Sequence, residues 1–152
     1  MVKTRSVSAI NNGIVIDHIP AGQALKIMRL LHTVNNKQRV TLGLNLTSKQ
    51  LKIKDLIKIE NRNLSPEAVE KISIFAPSAT INVVENFSIC KKIKCRLPET
   101  IRDILICPNL NCISRTESKS YFKLEGSSKE VNLYCFYCEK QFKRDQLEEI
   151  NL

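Results

Sequence analysis

Four of the six cysteines set the terms on which this 152-residue chain can fold. Cys107-Pro108-Asn109-Leu110-Asn111-Cys112 is followed, after 22 residues, by Cys135-Phe136-Tyr137-Cys138. Two close pairs around a short insert are the layout of a tetrahedral all-thiolate zinc site, because each tight turn delivers two sulfurs to one side of a metal whose ligands stand about 2.3 Å away. Pro108, Asn109 and Asn111 are turn formers and place the first pair in a knuckle. Two disulfides are the alternative for this spacing, and they belong to secreted chains. The opening Met1-Val2-Lys3-Thr4-Arg5-Ser6 is polar, with no apolar run of signal-peptide length behind it, so reduced thiols and a cytoplasmic location are expected. Four cysteines also close the tetrahedron, whereas a catalytic zinc needs an open position. The two histidines, His18 and His32, lie far upstream. One structural Zn2+ per chain is therefore expected on Cys107, Cys112, Cys135 and Cys138, with Cys90 and Cys95 as ordinary free thiols.

The net charge of +9 raises nucleic acid as a partner, and its distribution argues against it. Residues 1–100 carry 16 Lys+Arg against 7 Asp+Glu, whereas residues 101–152 carry 8 against 8. A zinc ribbon that gripped nucleic acid would hold the basic excess itself. The neutral zinc region instead suits a protein partner, and the basic first half an anionic ligand. No stretch approaches the roughly 20 apolar residues of a membrane span.

In chain order, Val7–Ile10, the turn Asn11-Asn12-Gly13 and Ile14–Ile19 predict a strand that Pro20 ends. Ala21–Val34 carries Ala24, Leu25, Met28 and Leu31 at helical spacing. Arg39–Leu46 alternates, with Val40, Leu42, Leu44 and Leu46 on one face, and Lys54–Glu60 alternates again. Ser65-Pro66-Glu67 is a strong helix start, Val69, Ile72 and Ala76 form its stripe, and Pro77 stops it. Thr80–Val84 and Phe87–Lys94 complete the pattern. Strand, helix, strand, strand, helix, strand predicts an α+β fold: a ferredoxin-like antiparallel sheet with two helices on one face. A boundary near Leu97-Pro98-Glu99 divides residues 1–97 from a small β-rich four-cysteine domain, 98–152. Its insert, Ser114–Ser128, reads as polar with little core, and Gln146–Leu152 as a frayed helical end.

Enzymatic motifs are missing. The four glycines make neither a P-loop nor a dinucleotide fingerprint. Asp17 and His18 are adjacent, and on a strand neighbours point to opposite faces unless a bulge intervenes. Lys54 and Lys58 share one strand face and Lys92 and Lys94 another. Brought together, they would hold a polyphosphate as point charges.

Gly13–Pro20, Gly43-Leu44-Asn45-Leu46, Lys54-Asp55-Leu56-Ile57-Lys58-Ile59-Glu60-Asn61, Cys107-Pro108-Asn109 with Asn111-Cys112-Ile113-Ser114, and Cys135 with Tyr137-Cys138-Glu139-Lys140 resemble, in order and near-matching spacing, the regulatory chains of aspartate carbamoyltransferase. The resemblance implies a non-catalytic subunit whose first domain binds nucleoside triphosphates and whose zinc domain docks onto the catalytic chain. It further implies inhibition by CTP and UTP, activation by ATP, a regulatory homodimer, and a hetero-dodecamer of six catalytic and six regulatory chains. Carried over, Asp17 and Lys58 would meet ribose and base and Lys92 the phosphates, with His18 nearby. Ile10, Val15, Asn82, Val84 and Ile89 would wall the base, and Lys54 and Lys94 would add positive potential. Asn109, Asn111 and Glu139 would face the catalytic chain. Lys94 stands where the family carries an arginine, which gives up fork geometry toward phosphate.

Overall fold

A computed structural model describes residues 9–31, 37–117, 119–127, 130–146 and 148–149. Its larger sheet is built from β1 (Gly13–Pro20), β2 (Val40–Ser48), β3 (Lys52–Glu60), β4 (Thr80–Glu85) and β5 (Ser88–Lys94), all antiparallel, in the order β2-β3-β1-β4-β5. Helices α1 (Ala24–Leu30) and α2 (Pro66–Phe75) pack on one face. There Ile14, Ile16, Ile57, Ile59 and Ile81 meet Ala24, Ile27, Ile72 and Phe75 in one buried cluster. The first four strands and both helices have the expected ferredoxin-like order. β5 extends the sheet through a two-residue turn, Asn86–Phe87, with φ of 49° and 64°, the left-handed pair that matches strand twist.

α2 begins as its sequence dictates, Ser65 Oγ accepting the Ala68 N–H at 3.2 Å with Pro66 at the first position. α1 differs from expectation. It starts only at Ala24, and of the expected stripe Ala24 and Leu31 are buried and Met28 packs against the core, while Ile27 and Leu30 are buried and Leu25 is half exposed. The reason lies on another strand. Asp55, fully buried on β3, accepts the N–H groups of Gly22 at 2.9 Å and Ala24 at 3.3 Å, fixing where the helix begins. Its second oxygen accepts the Asn45 N–H at 3.1 Å. That contact anchors a bulge in β2 between Gly43 and Leu46, with Asn45 at φ 55°. The bulge breaks the predicted single face. Val40 and Leu42 pack against the core, Leu44 is exposed, and Leu46 lies opposite Lys54. Leu46 folds over Gly43 so closely that a Cβ there would stand 2.7 Å from its Cδ1.

The second half forms a sheet of β6 (Thr100–Arg102), β8 (Tyr121–Gly126), β9 (Val131–Cys135) and β10 (Gln141–Lys143), in the order β10-β9-β8-β6. β7 (Leu105–Ile106) pairs with β11 (Glu148–Glu149), so that part of the expected helical end is a strand. Residues 147 and 150–152 lie outside the described residues. A four-residue helix, α3 (Ser114–Glu117), follows the first cysteine pair. The insert contributes more core than its polarity suggested, since alternation on β8 buries Phe122 and Leu124 beside Ile101, Val131 and Leu133.

Two neighbours in the turn after β10 tie the halves together. The buried Arg144 guanidinium donates from Nη1 to the carbonyls of Ile74 at 3.3 Å and Phe75 at 3.2 Å. It thus brings a cation to the C-terminus of α2, whose own last turn has none. Asp145 accepts from Lys26 on α1 at 3.3 Å.

Candidate functional site: a sulfur cluster and a basic sheet face

The two cysteine pairs converge. The Sγ atoms of Cys107, Cys112, Cys135 and Cys138 all lie within 4.8 Å of one another. Cys107 to Cys138 is 3.7 Å and Cys112 to Cys135 is 3.8 Å. Four sulfurs at about 2.3 Å from a common centre would be separated by about 3.8 Å in a tetrahedron, so the cluster fits a single ion of zinc size. None of the six cysteines is bridged. Burial pushes the Cys107 and Cys135 thiols up. At the less enclosed Cys138 burial acts the same way, but the Lys140 N–H, the Asn109 carboxamide and neighbouring thiols outweigh it and bring the thiol down to about 7.

Local hydrogen bonds explain the knuckles. Cys112 N–H donates to Asn109 O at 3.0 Å, Glu139 N–H to Cys135 O at 2.8 Å, and Glu139 takes φ 62° to close the second turn. Asn109 also accepts the Asn111 N–H on Oδ1 at 3.1 Å, so this side chain is engaged within the metal loop. Asn111 and Glu139 are exposed. Their sequence neighbours Leu110, Ile113 and Tyr137 are exposed apolar side chains.

The outer face of the larger sheet collects the expected nucleotide residues by register. Lys58 on β3 lies opposite Val15 on β1, Val15 opposite Asn82 on β4, and Asn82 opposite Lys92 on β5. One cross-strand row thus holds four of them, with the outer strands about 14 Å apart at the backbone. Towards one end, Gly13 pairs with Val84 and Val84 with Ile89, forming an apolar margin with the buried Ile10 nearby in sequence. Towards the other, Asp17 pairs with Thr80 and Thr80 with Lys94. Asn82 Oδ1 is buried and has no hydrogen-bond partner among the described residues.

Asp17 and His18 occur together because β1 does carry a bulge. The register slips between Ile16 and Ile19, His18 takes φ 60°, and both Ile16 and Ile19 remain buried. The extra residue leaves Asp17 and His18 on the same outer side, with His18 Nδ1 3.9 Å from Asp17 Oδ2. Lys54 Nζ stands 2.7 Å from Asp17 Oδ1. Burial opposes ionisation of Asp17, yet the Lys54 ammonium and the His18 N–H hold its carboxyl below the ordinary value.

A ferredoxin-like sheet with lysines on its outer face, joined to four cysteines close enough to hold one metal ion, defines a two-part protein with a basic sheet domain and a metal-binding cysteine module. Residues 5–96 match the family profile of the aspartate carbamoyltransferase regulatory chain, allosteric domain, and residues 99–148 that of its metal binding domain. Aspartate carbamoyltransferase regulatory chains of Chromobacterium violaceum and Vibrio cholerae are 46% and 48% identical, over 99% of both chains and over 95% of this chain and 94% of the relative. That of Aeromonas salmonicida is 46% identical over 94% of each. The chain belongs to the family of aspartate carbamoyltransferase regulatory chains, a regulatory subunit with an allosteric and a metal-binding region. Among the described residues no helix is long and apolar enough to cross a membrane.

Sequence spacing found the cysteines. Alternation puts Asp55 on the face of Ile57 and Ile59, but nothing in the sequence indicates what Asp55 or Arg144 binds, since those partners lie up to 70 residues away.

Proposed function

We propose that the outer face of the larger sheet binds nucleoside triphosphates competitively at one site, and that their effect passes to aspartate carbamoyltransferase catalytic chains through the second half. The observation that carries this reading is the row Lys58–Val15–Asn82–Lys92 with the unpartnered Asn82 oxygen in its midst. A buried acceptor without a partner is costly unless a ligand or water satisfies it. An aliphatic margin beside point charges suits a base at one end and phosphates at the other. In this reading Asp17 and Lys58 meet ribose and base, His18 stands close by, and Ile10, Val84 and Ile89 wall the base. Lys92 meets the phosphates, and Lys54 and Lys94 supply potential. CTP and UTP inhibit and ATP activates, as expected for the family.

Residues 1–97 form the nucleotide domain and 98–152 the docking domain. One structural Zn2+ on Cys107, Cys112, Cys135 and Cys138 fixes the knuckles that present Asn109, Asn111 and Glu139 to the catalytic chain. The assembly is cytoplasmic and contains regulatory dimers within a dodecamer of six catalytic and six regulatory chains. Titration calorimetry tests the nucleotide site. Lys92→Ala weakens CTP and ATP more than the nucleosides, and Lys58→Ala weakens both, by roughly ten-fold or more for a charged hydrogen bond worth about 1.5–3 kcal/mol. Equal CTP affinity in the wild type and both variants would rule the site out.

A further inference from the structure

Neighbouring N–H groups favour the ionised form at three sulfurs of the cluster: that of Asn109 at Cys107, those of Cys138 and Tyr137 at Cys135, and that of Lys140 at Cys138. At Cys112 the neighbouring group is a side chain, with Ser114 Oγ 3.0 Å from Sγ. Both residues are enclosed, Ser114 at 5% and Cys112 at 3% exposure. α3 holds the hydroxyl in place. Arg115 N–H donates to Cys112 O at 3.1 Å, and Arg115 Nη1 to Cys107 O at 2.6 Å, so the helix is fastened to both cysteines of the first pair.

Four thiolates around a divalent ion leave a net charge of −2 in a site shielded from water, and donors to sulfur disperse that charge and orient the ligands. A substitution cannot delete a backbone donor, but it can delete a hydroxyl. We propose that Ser114 is a positioning residue of the metal centre: its hydroxyl donates to the Cys112 thiolate, fixes that sulfur's orientation and weakens its donor strength. This rests on the metal reading above and adds a regulator of how firmly the ion is held.

The test uses the full-length chain with Co2+ as the probe, read by sulfur-to-cobalt charge-transfer absorption and by release to a chelator. Ser114→Ala shifts the band to longer wavelength, because a thiolate without its donor holds higher-energy electrons. It also speeds release, by roughly 10–100-fold if the loss falls on that step, because the sulfur's lost orientation outweighs its gain in donor strength. Ser114→Thr keeps a hydroxyl and the wild-type band. Thr116→Ala removes a hydroxyl from the same helix that bonds Ile113 O at 2.9 Å and no sulfur, and leaves band and release unchanged. A Ser114→Ala chain with the wild-type band and release within about two-fold overturns the proposal, as does a Ser114→Thr band displaced as far as that of Ser114→Ala. A wild-type chain that takes up no Co2+ overturns the metal reading itself, a distinct result.

Discussion

The four sulfurs come from two turns within residues 107–138, whereas Lys58, Val15, Asn82 and Lys92 come from four strands spread over residues 15–92. The sulfur cluster is closed and shaped by hydrogen bonds a few residues long. The sheet face is open and has no geometry until four strands are in register. In the proposed reading the first centre gains its strength from one ion and the second from many weak placements. Loss of the ion should therefore act all at once on its own half, while damage to the sheet face should come in grades.

The largest effect expected comes from breaking the closed site. Cys112→Ser, or a strong chelator, removes a contribution of about 10–16 kcal/mol and unfolds the second half while the larger sheet persists. Metal analysis with native-state hydrogen exchange reads both regions at once; Cys90→Ser, at an exposed cysteine, keeps its metal. Equal loss of protection in the two sheets would erase the contrast between them.

Asp55→Ala is next and attacks the open site through its scaffold. It strands the buried Ala24 N–H, at about 1–3 kcal/mol, and releases those of Gly22 and Asn45, which are exposed residues. Denaturant unfolding should show a loss of about 1–3 kcal/mol, with nucleotide affinity reduced although no ligand contact is touched. A stability change below about 1 kcal/mol would mean that Asp55 does not organise this corner.

Arg144→Met probes the seam. It removes the cation from the end of α2 and should cost about 1–2 kcal/mol, separating a single unfolding transition into two. Lys26→Met removes the pair to Asp145, whose side chain is 71% exposed, and should leave the transition in place. Coincident transitions in Arg144→Met would show that the halves are joined by apolar contact alone.

The smallest effect is the pH response of the sheet face. The Asp17 carboxyl is held below its ordinary value of 3.8, so its stabilising pair with Lys54 is fully present above that value. The contribution is lost as pH falls through the lower folded-state value. Asp17→Asn should flatten stability against pH below about 4 and change nothing near 7 beyond the loss of the pair. Superimposable acid profiles would remove Asp17 from the account.

Some of this was legible in the residues alone. Cysteine spacing announced the cluster, Ser65-Pro66-Glu67 announced α2, and alternation in Lys54–Glu60 separated Ile57 and Ile59 from Lys54 and Lys58, because turns, caps and strand faces are set by neighbours in sequence. Tertiary structure decided what depends on distant partners. Asp55 chose the start of α1 over the stripe that included Leu25, the bulge at His18 put two adjacent polar residues on one face, and a polar insert buried Phe122 and Leu124. Register did the rest. A one-residue slip sends every following side chain to the other face, so only the paired strands could bring Lys58 and Lys92 into one row.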